Sequence, residues 1–146
     1  MTEYTLRPAI QADFPAIKAL IHLVHINPTG LDWRRFVVAD SPQGEIIGCG
    51  QIKPQGELRV LASIAVLPGL HGNGVARAVI ERLLAGHHGA LYLTCRAHLG
   101  VFYEKFGFIT LAEGDMPASF HRLSRFARLL RRLRLLEEDM LVMRRP

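Results

Sequence analysis

The sequence contains little cysteine, no long apolar run and no repeated or low-complexity segment. Its two cysteines, Cys49 and Cys95, are far apart and form no Cys-x-x-Cys motif, so they cannot supply a disulfide framework. No apolar run approaches the roughly 18 to 20 residues of a membrane span, and the first three residues lack the basic-then-apolar order of a signal peptide. These absences predict a soluble protein of the cytoplasm with no membrane partner. A chain of 146 residues without an internal linker is also expected to form one domain, over residues 1–146.

Patterns for metal and nucleic-acid binding are missing as well. His22 and His25 are one helical turn apart, but no third ligand recurs at a suitable spacing, so no metal is expected. Residues 1–120 carry ten Lys/Arg and ten Asp/Glu, whereas residues 121–146 carry eight Arg against three acidic residues, so the net charge of +5 arises in the C-terminal segment. Because most of the chain is electrically balanced, nucleic acid is not the expected partner.

Apolar patterns and turn residues do follow one another regularly along the chain. They predict seven strands: Thr5–Ala9, Arg35–Ala39, Glu45–Ile52, Glu57–Leu67, Ala90–Cys95, Phe108–Leu111 and Met140–Met143. They also predict four helices: one after the N-cap candidate Asp13, one from Val75 to the C-cap candidate Gly86, one over His98–Phe106 and one over Phe120–Leu136. The fold class is therefore α+β, with a mixed, mostly antiparallel sheet of about seven strands and helices on both faces. The helix after Glu57–Leu67 is a crossover, so this strand and Ala90–Cys95 are expected to be parallel.

A glycine-rich loop, residues 67–76, joins a buried strand to a helix. Glycines let the backbone approach an anion, and the free amides at the helix start attract it. The loop is not a Walker loop, because Val75 and Ala76 stand where Lys and Ser/Thr are needed. It is not a dinucleotide fingerprint either, because Arg77 stands where the third glycine is needed. A turn that serves packing alone is the alternative.

The pattern His71-x-x-Gly74-x-Ala76, followed about thirty residues later by Phe102-Tyr103-Glu104-Lys105-Phe106-Gly107-Phe108, resembles the GNAT superfamily of N-acetyltransferases. The order of the predicted elements agrees with this family over nearly the whole chain. The resemblance implies a single GNAT-like domain with a splayed parallel central strand pair. It implies direct transfer of an acetyl group from acetyl-CoA to a primary amine within a ternary complex. An acyl-CoA-binding regulatory protein without turnover is the alternative.

The resemblance also implies where acetyl-CoA, the co-substrate, would bind. It would lie in a V-shaped opening between the strands Glu57–Leu67 and Ala90–Cys95. Its pantetheine arm would pair with the backbone, and its pyrophosphate would rest on amides of the loop, with Arg77 or Lys105 as an electrostatic helper. The chain departs from the family at His71 and Asn73, so phosphate binding would depend mainly on the backbone. The implied cofactor-binding residues are Ile64, Ala65, Val66, His71, Gly72, Asn73, Gly74, Val75, Ala76 and Arg77.

Three residues are candidates for the chemistry. Tyr103 stands where the family has a tyrosine that acts as general acid to the CoA sulfur, although its phenol could also only hydrogen-bond the sulfur or pack among aromatic side chains. Glu57 is the only acidic residue on its strand and is a candidate base, but it stands early, near a turn. Alternation places Glu57, Ser63 and Ala65 on one face of that strand, and Ser63 is a candidate for ordering a water molecule.

Two further features are open to more than one interpretation. Asp32 and Trp33 fall where the superfamily often forms the acceptor site, and an acid beside an aromatic ring suits a cationic amine. In the segment Phe120–Leu136, the apolar residues Leu123, Phe126, Leu130 and Leu133 recur at helical spacing, and six arginines occupy the remaining arc. We expect these apolar residues to dock on the sheet and the arginines to face solvent, near the CoA 3′-phosphate or a partner in a homodimer. An amphipathic helix that reaches another surface is the alternative.

Overall fold

Four antiparallel strands form the sheet of the first part of the chain. The computed structural model describes residues 3–146, which fall into two compact units, one ending at His88 and one over Gly89–Pro146. In the first unit the elements are β1 (Thr5–Pro8), α1 (Phe14–Leu23), β2 (Phe36–Asp40), β3 (Ile46–Gln55), β4 (Leu58–Val66) and α2 (Val75–Ala85). Each strand pairs with the next one, and every pairing is antiparallel. The meander that the sequence predicts is confirmed, with boundaries that move by one to three residues.

The two helices of this unit cover opposite faces of its sheet. Ile17, Leu20 and Ile21 of α1 pack in a cluster with Cys49 of β3 and Ala65 of β4. Gly48 and Gly50, the neighbours of Cys49 in β3, face the other side of the sheet, where α2 lies. Gly86 ends α2 as predicted. The predicted placement of helices on both faces is confirmed for this unit.

Asp13 is the N-cap residue of α1, as predicted, but its side chain makes no capping hydrogen bond to this helix. Its carboxylate instead accepts a hydrogen bond from the Ile10 N–H at 2.8 Å, which closes a short 3-10 turn before the helix. It also accepts from Arg7 Nη1 at 2.7 Å, and the Arg7 Nε donates to Asp40 at 3.1 Å. The Arg7 guanidinium lowers the pKa of Asp13. A partly buried ion pair with β1 takes the place of the side-chain cap.

Three further strands and two helices make up the second unit. They are β5 (Leu91–Arg96), α3 (Gly100–Glu104), β6 (Ile109–Thr110), α4 (Ala118–Arg132) and β7 (Met140–Arg145), with a 3-10 turn over Ala97–Leu99 before α3. β7 pairs antiparallel with both β5 and β6. The α+β class, the seven strands and the four helices that the sequence predicts are confirmed. Within residues 3–146, no helix is long and apolar enough to cross a bilayer.

The buried face of α4 differs from the predicted one. Phe120, Ser124 and Ala127 are buried, and the Phe120 ring stacks on Tyr92 with 5.6 Å between ring centroids. The predicted docking row of Leu123, Phe126, Leu130 and Leu133 is wrong, because the first two and the last are exposed. Small side chains at 124 and 127 let the helix approach β7, which the larger leucines would prevent.

The end of α4 also differs from the prediction. The helix stops at Arg132 rather than Leu136. Arg134 has a left-handed φ of 61°, and the Leu135 N–H donates to the Leu130 carbonyl at 2.8 Å. This is a Schellman end with arginine in the position that glycine usually takes. Leu135 and Leu136 therefore follow the helix as exposed residues.

Candidate active site

A bulge in β4 lies at the centre of the segment predicted to bind acetyl-CoA. The pairing register between β3 and β4 shifts by one residue around Gly50. Ser63 and Ile64 together therefore stand opposite this one glycine, and Ser63 has a left-handed φ of 60°. A residue other than glycine in this conformation costs about 1–3 kcal/mol. Such strain persists only where neighbouring contacts fix the backbone.

The bulge overturns the prediction that Glu57, Ser63 and Ala65 share one face of β4. An extra residue in a strand breaks the alternation of side chains. Glu57 is not in the strand at all, because it lies exposed in the turn between β3 and β4. Six residues separate it from Ser63, which is about 20 Å along an extended chain. The structure therefore does not bring the candidate base, Glu57, close to Ser63, the candidate for ordering a water molecule.

Gln51 is a buried polar residue that holds Ser63. Its Nε2 donates to Ser63 Oγ at 2.8 Å and to the Gly30 carbonyl at 3.1 Å. Among the described residues, its Oε1 is buried without a hydrogen-bond partner. Because Ser63 accepts from Gln51, its own O–H is free to donate. The sequence analysis missed Gln51, and its signal was a polar side chain inside an otherwise apolar strand.

Two glycines of β3 set how closely α2 approaches the sheet. A Cβ on Gly48 would come within 2.6 Å of Val75 Cγ1. A Cβ on Gly50 would come within 2.5 Å of Ile64 Cδ1 and within 2.9 Å of Val79 Cγ1. No real Cβ contact is this short, so only glycine fits at either position. The start of α2 is thereby held against β3, next to the bulge.

The end of β4 presents backbone groups on the edge that is not paired with β3. The Leu67 N–H donates to the Ile47 carbonyl at 2.8 Å, and the next pair along the ladder is Gly48 with Val66. In an antiparallel ladder, hydrogen-bonded and non-hydrogen-bonded pairs alternate. The N–H and C=O of Val66 therefore point away from β3. An extended ligand could accept and donate there as a strand does.

The loop between β4 and α2 depends on left-handed glycines. Gly69, Gly72 and Gly74 have φ values of 92°, 86° and 78°. No protein atom lies within 4 Å of a Cβ built on any of the three, so the space beside them is open to a ligand. Backbone conformation, rather than crowding by the protein, is what requires glycine here.

The amino end of α2 is open to an anion. Gly74 is the N-cap and has no side chain, so the amides of Val75, Ala76 and Arg77 have no side-chain cap. The side chain of Asn73 is held in the loop, where its Nδ2 donates to the Leu70 carbonyl at 3.0 Å. Arg77 forms an exposed ion pair with Glu81 at 2.9 Å. Backbone amides, at the positive end of an eleven-residue helix, are the main attraction for a phosphate.

Asp32 and Trp33 line an opening of about 440 Å³. Asp32 accepts from the N–H, the Nε and the Nη2 of Arg34 at 3.0–3.1 Å, and Arg35 Nη2 lies 3.6 Å away. Hydrogen bonds from Arg34 lower the pKa of Asp32. Gly30, whose carbonyl accepts from Gln51, also lines the opening. The carboxylate that was predicted to attract a cationic amine is thus already paired with two arginines.

Tyr103 lies in α3, among aromatic side chains of the second unit. Its ring meets the edges or faces of Phe102 and Phe108, with centroids 5.1 Å and 6.2 Å away. Burial, with a smaller effect of Cys95, raises the pKa of Tyr103 to about 12. The phenol therefore keeps its proton at neutral pH, so it can donate a hydrogen bond or a proton but cannot act as a base.

Neither cysteine has the lowered pKa that activates a thiol nucleophile. Burial raises the pKa of Cys49 to about 12 and, together with Glu138, that of Cys95 to about 11. A thiol needs a lowered pKa to react as thiolate. In the part of the chain that the structure describes, no group of three or more His, Cys, Asp or Glu side chains is arranged to hold a metal ion.

The sequence matches the profile of a known protein family. The profile of the acetyltransferase (GNAT) domain family matches residues 32–110, which is more than half of the chain. This range contains the bulge, the glycine loop, α2 and Tyr103. No curated protein matches the sequence.

Several solved structures have a similar fold. N-acetylglutamate synthase from Neisseria gonorrhoeae, complexed with coenzyme A and N-acetyl-glutamate, has a TM-score of 0.71 at 19% identity, and the match covers 99% of this chain but only 35% of that one. Rv2747 from Mycobacterium tuberculosis, in complex with CoA and NLQ, has a TM-score of 0.68 at 23% identity and coverages of 94% and 97%. The ribosomal-protein-S18-alanine N-acetyltransferase from Escherichia coli has a TM-score of 0.68 at 19% identity and coverages of 99% and 94%. This chain thus spans about a third of the gonococcal enzyme and nearly all of the other two.

Proposed function

The chain belongs to the GNAT acetyltransferase family, and we propose that it transfers an acetyl group from acetyl-CoA directly to a primary amine. The proposal rests on three features that follow one another along the first unit. They are a bulge at Ser63, outward backbone groups at Val66 and a helix that begins after Gly74 without a side-chain cap. Together they offer a strand edge and an anion site about ten residues apart in the chain. A bound adenine-nucleotide thioester needs both.

Each part of this unit would hold one part of acetyl-CoA. The pantetheine arm would run along Ile64, Ala65 and Val66 and pair with the outward N–H and C=O of Val66, since those of Ala65 face β3. The pyrophosphate would rest on amides of the loop His71–Gly74 and of the first turn of α2, Val75–Arg77, because several N–H groups converge there. The coenzyme A found with the gonococcal and mycobacterial structures supports this proposal.

The transfer forms a C–N bond and breaks the C–S bond of the thioester, so one proton must leave the amine and one must reach the sulfur. We assign the sulfur side to Tyr103. Its pKa of about 12 lies well above the roughly 8.5 of an ordinary thiol. The phenol would therefore stabilise the departing thiolate mainly as a hydrogen-bond donor, with complete proton transfer as the alternative.

The amine side is assigned to Ser63 before Glu57. Gln51 donates to the Ser63 hydroxyl, whose second lone pair can accept from a water molecule at the bulge, and this water would take the proton that leaves the amine. Glu57 remains a second candidate for the base, although its exposed turn is far along the strand. Glu57→Gln and Ser63→Ala, compared for the pH dependence of turnover, separate the two.

The opening beside Trp33 suggests the class of acceptor. It contains Arg34 and Arg35 against the single carboxylate of Asp32, so its balance is positive. We infer an acceptor that carries a carboxylate as well as an amine, such as an amino acid. The N-acetyl-glutamate bound in the gonococcal structure is of that chemical class. A panel of amino acids, polyamines and peptides tests this, and preference for a polyamine would contradict it.

Release of CoA measures the activity. Purified protein is incubated with acetyl-CoA and each acceptor, free CoA is followed with a thiol-reactive dye, and the acetylated product is identified by mass spectrometry. The alternative, an acyl-CoA-binding regulator, predicts calorimetric binding of acetyl-CoA with no CoA release for any acceptor. Absence of both binding and release would overturn the proposal.

Three broader expectations are part of this proposal. We infer that residues 1–146 act as one acetyltransferase domain, because the family profile spans residues of both units. The two free cysteines favour the cytoplasm. A homodimer stays open, and sedimentation of the purified protein would decide it.

A further inference from the structure

The exposed side of α4 combines apolar and basic residues in an unusual way for a surface helix. Leu123, Phe126, Leu129 and Leu133 are exposed, and Phe126 and Leu133 expose 57% and 59% of their surface. They lie three or four residues apart, so they form one row along the helix. We call these four residues the apolar row. The buried contacts of α4 are on another face, so the sheet does not cover the row.

The helix α4 and the turn that follows it are also strongly basic. No acidic residue occurs between Ala118 and Leu136, whereas six arginines do. Arg128 pairs with Glu113 at 2.7 Å, and Arg131 lies 3.5 Å from Asp139. Among the described residues, the other four arginines have no ion pair. These four are Arg122, Arg125, Arg132 and Arg134.

We propose that α4 docks this protein reversibly on an anionic lipid membrane, with the apolar row inserted at the headgroup boundary and the unpaired arginines bound to lipid phosphates. A helix with a strongly basic face, exposed Leu and Phe on an adjacent face and little overall hydrophobicity is the form that lies in a membrane interface. The lack of a long apolar run predicts no membrane partner, but an interfacial helix needs no such run.

The charges on α4 favour an anionic membrane, rather than a second copy of the chain, as the partner of its exposed face. Two α4 helices that met through their apolar rows would bring up to eight unpaired arginines together, without acidic residues on either helix to offset them. An anionic bilayer supplies opposite charge along the whole length of the helix. The nearby acidic residues do not cancel this. Glu113, Glu138 and Asp139 are already paired within the unit, and among the described residues 113–139 only Asp115 and Glu137 have no ion pair, which is two charges against four unpaired arginines.

Vesicle flotation tests the proposal with the full chain. The probes are vesicles of phosphatidylcholine alone and vesicles of equal parts phosphatidylcholine and phosphatidylserine. We expect binding to the mixed vesicles only, and loss of that binding at high salt. Replacing Arg122, Arg125 and Arg132 with Gln should weaken binding about a hundredfold, because each charge near an anionic surface contributes about fivefold.

The apolar part of the proposal has its own variant and control. Leu123→Ser, Phe126→Ser and Leu129→Ser together should abolish flotation while leaving the protein folded, because all three side chains are already exposed. Leu23 and Val101 are equally exposed elsewhere, and replacing them with Ser should leave flotation unchanged. Arg59, Arg82 and Arg96 changed to Gln are the matched charge control. Circular dichroism and acetyl-CoA binding confirm that each variant is folded.

Four results would overturn the proposal. The first is no flotation of the folded wild-type chain with either vesicle. The second is flotation that survives the serine variant. The third is a dimer that the serine variant dissociates, which would identify a second copy as the occupant. The fourth is salt-sensitive binding to DNA that exceeds binding to lipid, which would identify nucleic acid. None of these readouts depends on acetyl transfer, so the proposed enzyme function stands or falls separately.

Discussion

The packing face of α4 can be tested by comparing Phe120→Ala with Leu133→Asp. Phe120 is 1% exposed, whereas Leu133 is 59% exposed. A buried aromatic side chain removes about 150–250 Å² from water, which at about 25 cal/mol/Å² is about 4–6 kcal/mol as an upper bound. Since alanine keeps the Cβ, Phe120→Ala should lower the free energy of unfolding by about 3–5 kcal/mol. It also removes the stacking on Tyr92.

Leu133→Asp should behave as a surface substitution and change the free energy of unfolding by no more than about 0.5 kcal/mol. Arg128→Gln with Arg131→Gln is the control for charge. It breaks two exposed ion pairs, each of which contributes about 0–1 kcal/mol at most. This double variant should therefore unfold close to wild type.

Urea unfolding followed by far-UV circular dichroism measures all three variants. A lower midpoint with an unchanged slope reports lost stability rather than a changed unfolded state. The reasoning fails if Leu133→Asp unfolds the protein while Phe120→Ala is tolerated. That result would restore the row of Leu123, Phe126, Leu130 and Leu133 as the docking face, and the membrane proposal would lose its surface.

Further predictions concern the active site. Tyr103→Phe should lower turnover about ten- to a hundredfold, which is the effect of one charge-assisted hydrogen bond, and should leave acetyl-CoA affinity unchanged. A loss of turnover above about a thousandfold would indicate full proton transfer. A loss within twofold would indicate that Tyr103 only packs among aromatic side chains. The phenol of Tyr103 loses its proton only as the pH rises through about 12. Loss of this proton should therefore cause no fall in turnover at lower pH. A fall in turnover near neutral pH that disappears in Tyr103→Phe would contradict this. Gly74→Val should weaken acetyl-CoA binding in calorimetry at least about tenfold, since it strains the anion loop. Gly56→Val imposes similar left-handed strain in the β3–β4 turn, and equal effects of the two would show that strain alone is responsible. Gln51→Leu should lower turnover through loss of the hydrogen bond to Ser63 without changing acetyl-CoA affinity, and unchanged kcat would remove Gln51 from the site.

Most of the fold follows from patterns that act locally. Alternation and turn residues predict β1 to β4 because a meander is built from neighbours in sequence, and the periodicity of α2 predicts both its buried face and its end at Gly86. Local patterns do not predict which face of α4 is buried. A count of apolar residues favours Leu123 and Leu133, but the close approach to β7 selects the small side chains of Ser124 and Ala127.

The candidate site was predictable in its loop but not in its bulge. Gly74 and the helix that follows are visible as a local pattern. The left-handed backbone of Ser63 depends on two residues of the neighbouring strand, Gly50 and Gln51. The alternation of apolar and polar residues within β4 does not predict these contacts. A glycine inside a strand is the usual sign of a bulge or of a close approach, and Gly50 provides both.

The burial of the two cysteines has a consequence for how the protein responds to oxidants and electrophiles. With pKa values of about 12 for Cys49 and about 11 for Cys95, only about one thiol in ten thousand and one in a thousand is ionised near pH 8. Peroxide, alkylating agents and thiol-reactive dyes all attack the thiolate. The two thiols of the folded chain should therefore react slowly with such reagents and add almost no background to an assay that detects released CoA by its thiol.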